Sequence, residues 1–319
     1  MSITQKIVLT VAFLLLVPIS LLLAYGYAST QHADYGWDIR LTGRTYTESH
    51  PRVVIDGAHH NAHTSRGKYY PFATLLRMDG CDVERGKKKF SAKSLDDTDV
   101  LVIVNASGGS KPSLMGINLP FLEEGKREAP AFSADEIKAV RAWVEKGGSL
   151  LLIADHAPFG ESCAAMAEAF GVRMHRGFTV IPEETSDPME FSRANGRLAG
   201  HPIIAGVDSL SRVGRVLTFT GQSLDGPPHA VALLALPDNA VEYVPPPGDR
   251  EGRIEMREEP AGAAQGLAFD HGAGRVVVLG EAAMLTAQVI RDDHFGMNTP
   301  GCDNQQFALN IVHWLTRVI

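Results

Sequence analysis

Two unbroken apolar runs, Val100-Leu101-Val102-Ile103-Val104 and Leu150-Leu151-Leu152-Ile153-Ala154, lie on either side of one strongly marked helix. A strand without polar alternation is covered on both faces, which suits a parallel sheet held between layers of helices. The intervening helix opens at Ser133, with Glu136 three residues on. That pair is a capping box: the hydroxyl accepts the Glu136 amide while the carboxylate reaches back to the Ser133 amide. Ile137, Val140, Trp143 and Val144 share one helical face, and Gly147-Gly148 stops the helix. Strand, helix and strand with short joins form a right-handed crossover, so the two strands run parallel.

The rest of the chain extends this unit. Arg52-Val53-Val54-Ile55 is a short β-branched strand ending at Asp56-Gly57, and a helix from Tyr70 to Met78 stops at Asp79-Gly80. Cys81 to Glu84 forms a second short strand, and residues 106–131 lack periodicity and read as a long loop. A small-residue helix runs from about Ser162 to Phe170. A looser, strand-rich excursion at about 205–275 includes Arg215 to Thr220 and Ala230 to Leu234. Gly266 to Phe269 and Arg275 to Leu279 are paired through a glycine turn. The final helix, with Phe307, Ile311, Trp314, Leu315 and Val318 on one face, is expected to be capped by Asp303 reaching the Gln306 amide. The expected class is α/β with a mainly parallel central sheet over residues 51–319.

Residues 1–28 are different in kind. No charge occurs from Ile7 to Ala28, a length suited to a transmembrane anchor. Gly26-Tyr27-Ala28 also fits a signal-peptide cleavage site, so both a signal anchor and a cleaved signal peptide stay open. Lys6 before the run, with Asp34 and Asp38 after it, places the domain outside the cytoplasm. The protein is then single-pass in the cell membrane, or secreted or periplasmic if cleaved near Ala28. Residues 29–50 read as a juxtamembrane linker or an edge segment. A net charge of −7, with no basic block beyond Lys87-Lys88-Lys89, argues against nucleic-acid binding. Three scattered cysteines are too few for a disulfide framework.

The strand ends carry the chemistry. Asp56, Asn105, Asp155 and Glu281 each follow an apolar strand, and His59, His60, His63 and His156 come within a few residues. In a parallel sheet these lie along the carboxyl edge, where open α/β folds bind ligands. The expected ligand-binding set is Asp56, His59, His60, Asn61 and Asn105, joined by Asn298 and Asn304 from the amide-rich loop before the last helix. Asp155, His156 and Glu281 are the catalytic candidates. Carboxylates and imidazoles together also suit a divalent metal such as zinc or manganese, with Asp56, His59, His60, Asp155 and His156 as ligands. That alternative makes the protein a metal-dependent hydrolase. No Gly-x-Ser-x-Gly elbow or phosphate-binding glycine motif occurs.

The segments Asp56-Gly57-Ala58-His59-His60-Asn61, Gly147 to His156, His201-Pro202-Ile203 and Asn304-Gln305-Gln306-Phe307 resemble a bacterial branch of the class I glutamine amidotransferase-like superfamily. A related domain occurs in an intraflagellar transport subunit. The resemblance spans roughly residues 50–318 and implies a flavodoxin-like three-layer sandwich. True amidotransferases keep a catalytic cysteine at the strand-to-helix elbow, where this chain has Asp155-His156-Ala157-Pro158. The resemblance therefore implies a domain without glutaminase activity and leaves binder and enzyme both open; the first reading is a domain that binds a polar ligand, a saccharide or a cell-envelope partner, at this edge.

Overall fold

In the computed structural model the Ser133 capping box forms as expected, the Ser133 amide donating to Glu136 at 3.0 Å and the Glu136 amide to Ser133 Oγ at 3.3 Å. The structure describes residues 30–109, 130–182, 184, 188–246 and 256–319, a few positions before residue 30, and the backbone of Ser113–Leu114 and Ile117–Asn118. Most of the apolar run at 7–28 and of the expected long loop at 106–131 lies outside them. Among the described residues no helix is long and apolar enough to cross a membrane.

Five strands form the parallel heart of the fold: β1 (Arg52–Asp56), β2 (Asp82–Gly86), β3 (Val100–Val104), β4 (Ser149–Ile153) and β5 (Gly274–Leu279). They lie in the order β2-β1-β3-β4-β5, every neighbouring pair parallel. Beyond β5 the sheet turns antiparallel through Ala264–His271, Leu224–Asp225 and Arg173–Met174, giving a mixed sheet that is mainly parallel at its centre.

Alternate residues of the unbroken strands point to opposite faces, and both faces are dry. Val53, Ile55, Val102, Val104, Leu151 and Ile153 pack with Phe72, Leu75 and Leu76 of α1 (Tyr70–Asp79) and with Phe307 and Ile311 of the last helix, Asn304–Leu315. Leu101, Ile103, Leu150 and Leu152 pack with Val140 and Val144 of α2 (Ala134–Glu145) and with Cys163 and Met166 of α3 (Phe159–Glu168). The result is helix, sheet, helix. Each fully buried aliphatic side chain contributes about 1.5–3 kcal/mol of transfer free energy, so the doubly covered strands anchor the structure.

Two expectations need correction. Asp303 stands at the N-cap of the last helix but makes no capping bond there. Its Oδ2 instead accepts the amides of Gly214 and Arg215 at 2.7 and 3.0 Å, tying the helix to the strand Arg215–Thr218. Of the two readings of residues 29–50, the free linker gives way to the edge segment: residues 30–50 are packed on the domain. His32–Ala33 pairs with the strand Ala287–Ile290, Tyr46 is buried, and Trp37, Ile39 and Leu41 cover the core. The polar composition of this segment hides its apolar contacts, which are spaced too irregularly to show a period.

Candidate functional site

Parallel register decides which side chains meet at the carboxyl edge. Val104 pairs with Ile153 and Ile153 with Leu279, so Asp155 and Glu281 each lie two residues past the same rung of adjacent strands. Neighbouring strands are about 4.8 Å apart, and the two acids are brought side by side. Three successive amides then hold them. Ala282 N–H donates to Asp155 Oδ1 at 2.6 Å, and Ala283 and Met284 donate to the two oxygens of Glu281 at 2.7 Å each.

Asn105 is the joint beneath this pair. Fully buried, with a left-handed φ of 45°, it turns the chain away from the sheet at the end of β3. Asparagine tolerates that conformation better than other non-glycine residues. Its Oδ1 accepts the Asp155 amide at 2.9 Å, which fixes the orientation of its own amide group. Nδ2 therefore donates, at 2.6 Å to Asp155 Oδ2 and at 3.0 Å to His63 Nδ1. His63 is an acceptor at Nδ1 and carries its proton on Nε2 as a neutral ring. Burial presses its pKa down to about 4, outweighing the attraction of Asp155.

Asp155, Glu281 and His63 line a cleft of about 350 Å³ together with Lys68, His156, Gln288 and the half-buried Phe219, Ile290 and Phe295. Burial, reinforced by the charge of Asp155, raises the Glu281 carboxyl well above its ordinary range. Two adjacent carboxyls in a poorly hydrated place do not both ionise readily. Burial also lowers the Lys68 pKa, opposed by Asp155. Gln288 is 1% exposed; its amide nitrogen donates to Thr286 Oγ1 at 2.7 Å while its Oε1 has no partner among the described residues. A buried oxygen left unpaired costs about 1–3 kcal/mol, and Gln288 is one of the residues that line the cleft. At the rim, Thr220 adopts φ 141°, a conformation foreign to β-branched residues.

A second acid–imidazole cluster occupies the same edge and is closed. His59 Nδ1 meets Asp56 Oδ2 at 2.9 Å, and its Nε2 meets Glu136 Oε1 at 2.7 Å. With a carboxylate on each nitrogen both must donate, so the ring is an imidazolium. Burial acts to lower the His59 pKa, but the hydrogen bonds and charge of Asp56 and Glu136 overcome it and hold the pKa above its ordinary value. Burial raises the Glu136 pKa, yet bonds from His59, Ser133 and Phe90 outweigh it and draw the carboxyl down to about 2. The ring packs against the stacked pair Phe90 and Phe132, with centroids 4.4 and 4.8 Å away. The capping carboxylate of α2 thus doubles as the partner of a histidine from the loop after β1.

Solved structures share this architecture. The N-terminal domain of mmIFT52 is 13% identical with a TM-score of 0.54, covering 83% of this chain and 97% of that one. The fold is glutamine amidotransferase-like. Two weaker likenesses are a cytoplasmic protein from Salmonella typhimurium (12% identical, TM-score 0.48, covering 83% of this chain and 98% of that one) and a ThuA-like protein from Parabacteroides merdae (14%, 0.44, 84% and 90%). At such identities the likeness is one of fold alone. No family model and no curated protein matches the chain.

In this amidotransferase-like domain the expected site residues separate into groups. Asp155, His156 and Glu281 line the cleft, and Asn105 is bonded to Asp155. Asp56 and His59 belong to the closed cluster. Asn61 braces it, accepting the His59 amide and donating to the Val104 carbonyl at 3.1 Å. His60 is exposed with a left-handed φ of 49°. Asn298 bonds Asp34 and the Gln288 carbonyl, and Asn304 clamps both backbone groups of Leu217 at 2.8 and 2.9 Å. Asn304 and Asn61 therefore spend their hydrogen bonds on the fold.

The five residues expected to hold zinc or manganese do not assemble. Among the described residues no group of three His, Cys, Asp or Glu is placed to hold a metal ion. A metal takes a neutral imidazole lone pair, and both nitrogens of His59 are already donors to carboxylates. The cleft instead recruits Lys68, Gln288 and Phe295, which sequence reasoning did not select. Gln288 comes from a strand far along the chain, and nothing in its local sequence marks it. His156 stacks on Phe178 at 3.9 Å with Nδ1 on the Ala157 carbonyl. Cys163 lies within α3, fully buried, its Sγ donating to the Ala106 carbonyl and its pKa pushed up by burial to about 12. It is no substitute for an elbow nucleophile. A larger groove of about 680 Å³ lies at the opposite edge, between Asp96, Trp143 and Lys146. Its buried Ser149 hydroxyl is satisfied by the Leu315 carbonyl at 2.7 Å.

Proposed function

We propose that this chain is a non-glutaminase member of the amidotransferase-like superfamily, without a cysteine at the strand-to-helix elbow, that binds a neutral, hydroxyl-rich ligand of the saccharide class in the carboxyl-edge cleft. The unpartnered Oε1 of buried Gln288 is the observation that carries this reading. It calls for a donor, and hydroxyls supply donors at small desolvation cost. The charges around it point the same way. The Asp155 carboxylate and the Lys68 ammonium offset each other, the Glu281 carboxyl is pushed toward its neutral form and His63 is neutral, so the site favours polarity over net charge. The T-shaped pair Phe219 and Phe295, centroids 5.5 Å apart, supplies an apolar wall for the C–H face of a sugar ring.

The order β2-β1-β3-β4-β5 supports a flavodoxin-like assignment of the fold. The extracytoplasmic position and membrane attachment rest on the uncharged run Ile7 to Ala28 and the flanking Lys6, Asp34 and Asp38.

Thermal unfolding across a panel of neutral mono- and disaccharides tests the reading. Wild type is expected to gain melting temperature in a saturable way with at least one class of sugar, by mass action. Gln288→Leu and Lys68→Met should respond little. A flat wild-type response over the whole panel sinks the proposal.

A further inference from the structure

Gln31 lines the cleft, three residues after the uncharged run ends at Ala28. A fully extended chain covers about 3.5 Å per residue, so the cleft wall stands within about 10 Å of the end of that run. The connection is firmly built on the domain side. His32 pairs with Val289 and Ala33 with Gln288, so the segment leaving the apolar run is hydrogen-bonded to the strand that carries the unpartnered oxygen. Nearby, Tyr35 and Tyr70 form an exposed ring pair, 55% and 37% accessible with centroids 5.0 Å apart, and Tyr35 Oη donates to the Arg66 carbonyl. Exposed tyrosines are costly in water and favoured where head groups meet acyl chains.

Glu281, Gln288 and His63 are buried at the floor of the cleft, while Phe219, Ile290 and Phe295 are half-buried and form an apolar lip beside the equally half-buried Lys68, Asp155 and His156. A free sugar leaves such an apolar lip wet. An amphiphile with a hydroxyl-rich head and an apolar neck satisfies both levels.

We infer that the cleft opens at the membrane surface and takes the neutral, polyhydroxylated head group of a lipid. This rests on the hydroxyl-rich reading above and adds the source of the ligand. The uncharged run holds the domain against the bilayer, the cleft faces the head-group layer, and tethering raises the effective concentration of a lipid-borne head group over a dissolved one.

The test uses the full chain reconstituted in phosphatidylcholine vesicles. In a Cys302→Ser background, a fluorophore is attached at Asp292→Cys beside the cleft, or at Asp96→Cys on the opposite edge. A lipid spin-labelled in its head group should quench the first strongly and the second little. Equal quenching, or stronger quenching at position 96, overturns the orientation. In the same vesicles, acetylation of Lys68 is followed by mass spectrometry with monoglucosyl diacylglycerol or with free glucosylglycerol. The lipid is expected to protect Lys68 at a bulk concentration at least about tenfold below that of the free head group, and Gln288→Leu should abolish the protection. Equal potency of lipid and free head group overturns the lipid inference and leaves the saccharide reading standing. Protection by neither overturns both.

Discussion

The closed cluster Asp56–His59–Glu136 and the open cluster Asp155–Glu281–His63–Lys68 use the same residue types along the same sheet edge, to opposite ends. In the closed cluster the histidine meets a carboxylate on each side, and backbone amides of Ala58, Phe90 and Ser133 supply further bonds to those carboxylates. It is covered by two phenylalanine rings and pins a helix to a loop. In the open cluster the carboxyls are equally well held, yet Gln288 Oε1 has no partner and Lys68 faces the cleft. Residual hydrogen-bonding capacity beside open volume, and not the presence of acids and histidines, separates a site from a strut.

The comparison breaks most visibly if His59 is removed. His59→Ala leaves two buried carboxylates facing an empty space and should cost about 3–5 kcal/mol in urea denaturation, the largest effect expected of any residue discussed. A loss below about 1 kcal/mol would show that the closed cluster is not structural. Asn105→Ala should follow at about 2–3 kcal/mol, combining lost buried hydrogen bonds with the strain of a left-handed alanine. Unlike His59→Ala, it should also disturb the cleft, freeing His63 to titrate at higher pH in an NMR titration.

The two clusters should also answer pH differently. Glu136 has its pKa drawn down from 4.5 to about 2, so its stabilisation is present above pH 4.5 and lost as the pH falls toward 2. His59 has its pKa raised above 6.5, so its contribution is complete below that pH and fades as the pH climbs through the raised value. Glu281, also raised, favours the folded state below pH 4.5 and loses that favour as the pH rises through its folded value. The stability gap between wild type and Glu136→Gln should therefore narrow steadily in acid, a trend that chemical denaturation at successive pH values would reveal. Nitrogen NMR near about pH 6 should find His59 doubly protonated and His63 neutral with its proton on Nε2. A charged His63 there would contradict the hydrogen-bond assignment at Asn105. The smallest change in stability belongs to Gln288→Leu. Removing an unpaired oxygen should shift unfolding by no more than about 1 kcal/mol in either direction, while sugar binding is lost.

Much of the fold was legible in the chain. The Ser133–Glu136 box, the stop at Gly80 and the unbroken runs in β3 and β4 are local signals, and local signals survive whatever packs around them. Asp155 and Glu281 were legible as strand-end acids, since the parallel crossover alone brings them to one edge. His59 and Asn61 carried the same signal and lie in the closed cluster, because Glu136 arrives there from 77 residues away. The cap expected from Asp303 failed for a related reason: its carboxylate found the Gly214 and Arg215 amides, a partner no window around the last helix contains.

By itself the sequence determined the layered α/β class, the edge at which polar groups collect, and the absence of a cysteine at the elbow. These follow from periodicity, capping chemistry and the direction of a parallel strand, all properties of short stretches. Only the tertiary structure decided which acids and histidines neutralise one another, that residues 30–50 pack on the domain and bring Gln31 to the cleft, and that Gln288 is left with an unused oxygen. Whether a hydrogen bond is made depends on atoms brought together from distant parts of the chain, and that information exists only once the chain has folded.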